Sequence, residues 1–256
     1  MSFESFSRLL FDIFCKNGLD DLCNQSNARL FHDFTGLLIA ENQTTNLTAI
    51  RDLPSIIAKH YADSLFAERF IPQNATVLDV GCGGGFPTVP LAICRPDLQI
   101  TCIDSTGKKI SFVEKAARTL NLQNIIPVTG RIEDPKFASW REKFAVVIAR
   151  AVANLRVLSE ITLPFARTGG FLLAMKGAKS KEELDESQNA IKILGGGEVK
   201  DAVATLQCPE LLQSGNVSES VCTYVPEVRH LIQILKTRKT PDQYPRSYAN
   251  IIKNPL

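Results

Sequence analysis

The densest group of chemically informative residues is a glycine-rich run, Val77-Leu-Asp-Val-Gly-Cys-Gly-Gly-Gly-Phe-Pro87. Only glycine lets a backbone bend this tightly and still come close to a ligand. A helix that follows such a turn presents unpaired N–H groups, and the positive end of its dipole, to an anionic group. The run therefore predicts a loop that binds a nucleotide-type cofactor. A ligand-free turn is the alternative, which four glycines within residues 81–85 disfavour.

The spacing of the glycines distinguishes one cofactor from another. Dinucleotide dehydrogenases use G-x-G-x-x-G, whose third glycine allows close packing of the helix on the strand. Here the sixth position holds Phe86, and its bulky ring disfavours a dinucleotide above the turn. The D-x-G-x-G-x-G form, with Gly81, Gly83 and Gly85, resembles the loop of Rossmann-like S-adenosylmethionine-dependent methyltransferases. An NAD oxidoreductase stays as a less favoured alternative.

Two further polar residues follow predicted strands. Asp104 comes 23 residues after Gly81 and precedes Ser105. A carboxylate at this position can accept hydrogen bonds from both ribose hydroxyls of an adenosine, although a helix N-cap is the alternative. Arg150 follows an apolar strand and would lie at the carboxyl edge of the sheet, where open α/β folds bind ligands. It could hold the carboxylate of a methionine moiety or a substrate phosphate.

Alternating strands and helices position these residues. We expect strands at 76–80, 99–103, 124–128, 144–149 and 169–175, and helices near 87–94, 108–121, 134–140 and 154–166. Such β-α repetition predicts an α/β fold, a Rossmann-like parallel sheet with helices on both faces. A charged helix to about residue 194 and two strands near 220–225 and 228–236 should close the sheet as an antiparallel hairpin. Residues 1–72 predict a helical N-terminal extension, and residues 73–256 the α/β domain.

Motifs spread along the chain together resemble one family. They are Asn46-Leu-Thr48, His60-x-x-Asp63-Ser-Leu65, Asp79-Val-Gly-x-Gly-x-Gly-Phe-Pro87, Asp104-Ser-x-x-Lys-Lys109, Arg131-x-Glu133, Arg150-Ala-Val-Ala153, Lys176-Gly177 and Tyr244-Pro-Arg…Lys253-Asn-Pro-Leu256. In this order, the motifs resemble the bacterial small-subunit ribosomal RNA guanine-N7 methyltransferases, once called glucose-inhibited division protein B. The resemblance implies methyl transfer from S-adenosylmethionine to N7 of a guanine in 16S ribosomal RNA, either free or within a small ribosomal subunit.

The resemblance also assigns residues to the cofactor. In methyltransferases the loop after the third strand contacts adenine, and Ile132 and Glu133 fit the apolar and the acidic part, although Glu133 alone would be an ordinary acid at a helix start. The family usually has Ser or Thr at Cys82, Ala or Pro at Gly84, and Gly at Thr88. We therefore expect Gly84 to loosen the turn and Thr88 to disturb close packing. The complete predicted set is Gly81, Gly83, Gly85, Phe86, Asp104, Ser105, Ile132, Glu133 and Arg150.

Methylation at guanine N7 needs little chemistry from the protein. N7 carries a lone pair and no proton, so alignment at near-attack distance can replace a general base. We therefore predict no nucleophilic cysteine and no metal. Arg131, Arg150 and Lys176 are candidates for positioning the RNA through phosphate or guanine O6, although Arg131 and Lys176 could equally be surface charges. His60 and Asp63 share a helical face and predict either a substrate contact or a helix-surface hydrogen bond.

Positive charge is concentrated at the C-terminal end. The net charge is +2, yet from Arg229 onwards six Lys/Arg residues face one acid, so this segment carries +5 and the rest −3. This asymmetry predicts a polyanionic partner, with RNA favoured and a solubilising tail as the alternative. Phosphate attraction without base specificity is expected from Lys236, Arg238, Lys239 and Arg246.

Composition narrows the class of protein. Apolar residues make up 45% and charged residues 22%, as in ordinary globular proteins. No apolar stretch approaches the roughly 20 residues that span a bilayer, and the N-terminus lacks a basic secretory region, so a cytoplasmic protein without membrane contact is expected. The seven cysteines form no C-x-x-C pair, which disfavours a zinc site. No feature indicates an obligate protein partner. The alternatives are a methyltransferase for another RNA, a protein or a small molecule, and a non-catalytic adenosylmethionine-binding assembly factor.

Overall fold

The computed structural model describes residues 1–178, 180–210 and 223–256. These residues form a seven-stranded sheet of order β3-β2-β1-β4-β5-β7-β6. Strands β1 to β5 are parallel, and β7 lies antiparallel between β5 and β6. The expected α/β fold with a C-terminal antiparallel pair is confirmed. The strands are β1 Thr76–Val80, β2 Gln99–Asp104, β3 Ile125–Thr129, β4 Phe144–Arg150, β5 Ala166–Lys176, β6 Gly196–Glu210 and β7 Thr223–Lys236.

Helices cover both faces of this sheet because its central strands are apolar on both sides. In β4, residues 144–149 are all buried, as is usual for a parallel strand between two helical layers. The helices are α1 Phe3–Lys16, α2 Gln25–Glu41, α3 Leu53–Ile56, α4 Asp63–Leu65, α5 Thr88–Cys94, α6 Gly107–Thr119, α7 Leu155–Thr162, α8 Ser180–Ile193 and α9 Tyr248–Lys253. The helix expected near 134–140 is a 3-10 helix, Pro135–Trp140. A π-helical turn, Ile57–Ala62, joins α3 to α4.

The N-terminal helices share their core with one face of the sheet. Phe6, Phe31 and Tyr61 belong to the same apolar cluster as Val77 and Phe112. Helices α7 and α8 cover the opposite face in a second cluster. The N-terminal layer is therefore packed onto the sheet through a continuous core, while a domain boundary at residue 72 stays a prediction.

The hairpin prediction was wrong in its bounds. Strand β6 begins at Gly196, within a segment for which no strand was expected, and β7 runs through Pro226 without interruption. Proline tolerates this position because β5 pairs with β7 only from His230 onwards, so one side of Pro226 has no neighbouring strand to receive a hydrogen bond. Of the strand expected near 220–225, residues 220–222 lie outside the described residues.

The order of the strands creates a crevice at one edge. β1 pairs with β2 on one side and with β4 on the other, so the chain direction away from β1 reverses there. Loops that follow β1 and β4 diverge to opposite faces and leave a crevice at their carboxyl ends. No helix among the described residues is long and apolar enough to cross a membrane.

Candidate active site

A cleft of about 460 Å3 opens at the carboxyl ends of β1, β2, β3 and β4. The loop after each of these strands contributes to its walls. Every residue of the predicted cofactor set except Gly85 lines it. The cleft also takes in Leu47 and His60 from the N-terminal layer, and Tyr248 from the C-terminal helix.

The glycine loop has the backbone that its sequence predicts. Gly81 and Gly85 have φ angles of +78° and +90°, in the left-handed region that favours glycine. A Cβ on Gly81 would lie 2.7 Å from a methyl carbon of Val152, and one on Gly85 would lie 2.8 Å from a methyl carbon of Val89. The loop after β1 therefore lies so close to the loop after β4 and to the start of α5 that only glycine fits at these two positions.

Thr88 does not disturb the packing in the way expected. Its side chain is fully buried and its hydroxyl donates a 2.5 Å hydrogen bond to Oδ2 of Asp79 at the end of β1. Burial raises the pKa of Asp79 to about 7, against the opposing effect of the Thr88 hydrogen bond. The second oxygen of Asp79 has no hydrogen-bond partner among the described residues. Thr88 thus supplies the donor that this buried carboxyl group needs.

Asp104 holds the glycine loop against the second strand. Its Oδ2 accepts from the backbone N–H of Gly83 at 3.0 Å, and its Oδ1 accepts from the N–H of Thr106 at 2.8 Å. The N-cap of α6 is Thr106, so the N-cap alternative for Asp104 is wrong. A carboxylate has about four acceptor positions, and Asp104 uses two of them on the backbone while it faces the cleft.

The loop after β3 places an acid whose acceptor is unused. Ile132 is buried, and Oε1 of Glu133 is buried without a hydrogen-bond partner among the described residues. The nearest cation, Nη1 of Arg131, lies 3.7 Å from this oxygen, beyond hydrogen-bond distance. Burial raises the pKa of Glu133. The Arg131 guanidinium stacks on the ring of Tyr248, 4.8 Å from its centre, and no motif in the sequence had indicated this aromatic residue.

A stack of two rings forms the opposite end of the cleft. The rings of His60 and Phe86 lie 4.4 Å apart at an angle of 14°, and the Arg150 guanidinium lies 5.5 Å from the Phe86 ring centre. Burial and the neighbouring Arg150 lower the pKa of His60 to about 3, so this imidazole is neutral. Its Nε2 lies 2.7 Å from the Thr48 hydroxyl. The N-terminal layer therefore contributes a wall of the cleft.

Arg150 is anchored to the same N-terminal segment. Its Nη1 donates to Oδ2 of Asp63 at 2.8 Å and to the carbonyl oxygen of Lys59 at 2.9 Å. His60 and Asp63 are both buried and both face Arg150. The alternative of a helix-surface hydrogen bond between His60 and Asp63 is therefore wrong.

Comparisons with known proteins show which family this sequence matches. The family described as rRNA small subunit methyltransferase G matches residues 27–210. A ribosomal RNA small subunit methyltransferase G from Brevibacillus brevis is 42% identical over 88% of this chain and 90% of its own. A protein of the same name from Clostridium kluyveri is 36% identical over 96% of this chain and 98% of its own. The chain belongs to the rRNA small subunit methyltransferase G family.

A solved structure shows the same fold at low sequence identity. Precorrin-6y C5,15-methyltransferase from Geobacter metallireducens is 11% identical, covers 75% of this chain and 93% of its own, and gives a TM-score of 0.50. The Rossmann-like methyltransferase sheet expected from the sequence is confirmed. In this chain the cleft is also lined by Leu47 and His60 of the N-terminal layer and by Tyr248 of the C-terminal helix.

The cations assigned to RNA differ in how far other groups of the protein already bind them. Lys236 is fully buried and donates to the carbonyl oxygen of Leu163 at 2.7 Å and to the Thr240 hydroxyl. Its burial lowers its pKa to about 8. The prediction that Lys236 contacts RNA phosphate is therefore wrong, because its ammonium group has no access to solvent. Arg238 and Lys239 are exposed.

Two further candidate cations are held by acids of the protein. Arg246 forms a 2.6 Å ion pair with fully buried Glu160, which ties the C-terminal segment to α7. The Lys176 side chain is only 10% exposed and forms a 2.7 Å ion pair with Glu183, so the surface-charge alternative for Lys176 is wrong. Lys176 also donates to the carbonyl oxygen of Ala153 and thereby fixes the loop after β4. Contacts of Lys176 and Arg246 with RNA stay predictions.

Proposed function

We propose that this chain transfers the methyl group of S-adenosylmethionine to N7 of a guanine in 16S ribosomal RNA. The observation that carries the proposal is a cleft, in a methyltransferase G family member, whose polar groups match that cofactor. Oε1 of Glu133 is a buried acceptor with no partner among the described residues, and a cation lies at Arg150 at the other end. The glycine loop lies between the two ends, with backbone positions that a Cβ would fill.

The end of the cleft near β2 and β3 fits an adenosine. Oε1 of Glu133 could accept from an exocyclic amino group and so gain the hydrogen bond that it lacks. The free acceptor positions of Asp104 suit ribose hydroxyls, and the buried Ile132 offers an apolar surface to a base. Ser105 is exposed at the same rim. Glu133 must be ionised to act as a pure acceptor, so the cofactor should bind less tightly at low pH.

The end near β4 fits the methionine part. Arg150 offers hydrogen-bond donors to a carboxylate or to a phosphate, and the loop of Gly81, Gly83 and Gly85 lets the backbone approach without side chains. Bound S-adenosylmethionine would supply a methyl group on a positively charged sulfur. The Phe86 and His60 rings give this end an apolar wall that keeps water out. Neutral His60 adds no positive charge beside the sulfonium group.

The protein needs to align the acceptor rather than to remove a proton from it. Guanine N7 carries no proton at neutral pH, so the reaction needs no general base. The low pKa of His60, about 3, is therefore no obstacle to methyl transfer. Holding N7 and the methyl group at near-attack distance is the larger contribution. Arg131, exposed at the rim, and Arg150 are suited to hold the RNA, and Lys176 to hold the loop of Ala153. We infer that the RNA is met in the cytoplasm, as free 16S RNA or within a small ribosomal subunit.

The decisive experiment is transfer of a labelled methyl group, with the modified nucleotide mapped. The chain would be incubated with small ribosomal subunits and, separately, with naked 16S RNA and labelled S-adenosylmethionine. We expect label at N7 of one guanine in at least one of the two substrates. Label at another atom would overturn the guanine assignment, and label in protein alone would favour the protein methyltransferase alternative. Cofactor binding without any transfer would favour the non-catalytic assembly factor.

A further inference from the structure

Five charged side chains form a chain of ion pairs that ends in the cleft. Lys59 contacts Glu227 at 2.6 Å, and Glu227 contacts Arg229 at 2.7 Å. Arg229 then contacts Asp63 at 2.8 Å, and Asp63 contacts Arg150 at 2.8 Å. Positive and negative groups alternate along this ion-pair chain, from the β6–β7 hairpin to the cleft. Of the five residues, only Arg150 lines the cleft.

The ion-pair chain carries one more positive than negative charge, with a cation at each of its ends. Three cations face two carboxylates, and the Lys59 ammonium and the Arg229 guanidinium hold the pKa of Glu227 at about 2, so Glu227 is ionised. Arg150 shares its only carboxylate in this ion-pair chain, that of Asp63, with Arg229, and a ligand anion beside Arg150 would complete the alternation. The ion-pair chain therefore favours a ligand with a single negative group at this end.

The hydrogen bonds of Arg150 fix which edge of its guanidinium faces the ligand. Nη1 is occupied by Asp63 and by the Lys59 carbonyl oxygen, and Nη2 lies 3.4 Å from Nδ1 of His60. A guanidinium only donates, so Nδ1 of His60 accepts, and Nε2 carries the proton that goes to Thr48. Among the described residues nothing accepts from Nε of Arg150. One edge is thus bound to the protein, and the Nε side is left for a ligand.

Asp63 occupies the central position in this arrangement. It is 7% exposed and uses one carboxylate oxygen for Arg150 and the other for Arg229. It follows directly on the π-helical turn Ile57–Ala62, whose Lys59 carbonyl oxygen bonds to Arg150 as well. Turns of this kind are frequent at functional sites. The acceptors that orient the arginine, which are the Asp63 carboxylate, the Lys59 carbonyl oxygen and Nδ1 of His60, therefore all come from one short segment.

We propose that Asp63 is a positioning residue, which orients Arg150 toward a single ligand anion and links it through Arg229 to the β6–β7 hairpin. The proposal rests on the proposed function, in which the anion is the cofactor's methionine carboxylate or an RNA phosphate. Asp63 itself touches no ligand. Arg229 keeps the cleft end positive by neutralising Asp63 from the far side.

Arg229→Gln tests the ion-pair chain from outside the cleft. It removes one positive charge and leaves every cleft residue in place, so S-adenosylmethionine should bind about fivefold more weakly by calorimetry. The matched control is Arg118→Gln, at an exposed position of α6, which should leave the affinity unchanged. Because Arg229 is partly exposed, this variant is expected to fold, and thermal unfolding would check that it does.

Asp63→Asn tests the positioning itself, alone and combined with Arg150→Lys. It should weaken cofactor binding about tenfold or more, and it should add little in the Arg150→Lys background, because two residues that act as a unit are not additive. Decarboxylated S-adenosylmethionine lacks the carboxylate, so its binding distinguishes the methionine carboxylate from an RNA phosphate as the anion beside Arg150. A weakening seen only with the intact cofactor assigns the carboxylate, and an unchanged cofactor affinity with a raised KM for RNA assigns the phosphate.

Each remaining outcome contradicts one of the two proposals. Tighter cofactor binding by Asp63→Asn would show that Asp63 competes with the ligand anion, and would overturn the positioning role. Unchanged cofactor affinity and RNA KM in Asp63→Asn and Arg229→Gln would do the same, as would full additivity with Arg150→Lys. A wild-type chain that fails to bind S-adenosylmethionine would instead overturn the proposed function.

Discussion

Neighbouring glycines of the loop after β1 have different requirements. Gly85 has a φ of +90° and lies where a Cβ would approach Val89 to 2.8 Å. The φ angle of Gly84 is not positive, and a Cβ there would lie 3.4 Å from the Leu47 side chain, an ordinary contact. Glycine is therefore needed at 85 and replaceable at 84, so the family's usual alanine at that position fits this backbone.

Alanine substitutions at these two positions should differ in their effect on the free energy of unfolding. Gly85→Ala should destabilise the protein by about 1–3 kcal/mol, because alanine is strained at positive φ and must displace Val89. Gly84→Ala should leave the stability within about 1 kcal/mol of the wild type, with a gain if the loop of the unfolded chain loses freedom. Urea unfolding measures both. Equal destabilisation of the two variants would contradict the difference in backbone requirement.

The buried carboxyl group of Asp79 should make the free energy of unfolding fall as the pH rises. Burial raises the pKa of this carboxyl group to about 7 from its ordinary value of 3.8, so the folded protein holds the proton more tightly than the unfolded chain. The contribution to stability is therefore present below about pH 4 and is lost as the pH rises toward 7. The slope cannot exceed about 1.4 kcal/mol per pH unit.

Unfolding in urea between pH 4 and 8, without cofactor, would measure this effect. The free energy of unfolding of the wild type should fall with pH relative to that of Asp79→Asn, which has no proton to lose. Thr88→Val should extend the fall to higher pH, because it removes the hydrogen bond that lowers the pKa of Asp79. Parallel pH profiles for wild type and Asp79→Asn would contradict the raised pKa.

At the scale of elements, the sequence predicted the strands that are formed by clear runs of apolar residues. The apolar runs of β1, β2 and β4 predicted their strands, and the position of Asp104 and Arg150 after two of them brought both to one cleft. Strand β6 was missed because apolar and polar residues alternate only weakly along it. The strands expected near 220–225 and 228–236 left a break at Pro226, which the two-stranded part of the hairpin does not need.

The contacts between distant elements could not be predicted in the same way. Charge alone could not show that Lys236 is buried, because Leu163, whose carbonyl oxygen accepts from it, meets it only through tertiary packing. The same applies to the pairing of Asp63 with Arg150 and to Tyr248 at the rim of the cleft. Sequence motifs identified the residues of the N-terminal wall without indicating what they touch.

A buried ion pair helps to hold the C-terminal segment that leads into α9. The carboxylate of Glu160 is fully buried and accepts from the backbone N–H, Nε and Nη2 of Arg246. Arg246→Met should cost about 3 kcal/mol in urea unfolding, because it leaves a buried carboxylate unpaired. Arg238→Met, a matched change at an exposed position, should stay within about 0.5 kcal/mol of the wild type. Similar destabilisation by both would contradict the structural role of Arg246.

At the scale of the whole molecule, the basic C-terminal segment is less basic toward solvent than its sequence indicates. Three of its six cations are engaged within the protein: Arg229 and Arg246 pair with carboxylates, and Lys236 is buried. Arg238, Lys239 and Lys253 remain exposed. The electrostatic attraction for RNA that this segment can supply is therefore about half of what its composition suggests.

The salt dependence of RNA binding would test this division. Replacing Arg238 and Lys239 together by glutamine should lower the slope of log affinity against log salt by about 0.7 to 1 for each RNA phosphate that is no longer neutralised. Lys236→Met removes the same charge from the same segment and should leave the slope unchanged, because no phosphate can reach the buried ammonium group. If Lys236→Met lowered the slope as well, the segment would have to open when it binds RNA. If the double replacement had no effect, the solubilising role of the segment would be favoured, and the RNA would have to be held by cations around the cleft, Arg131 first among them.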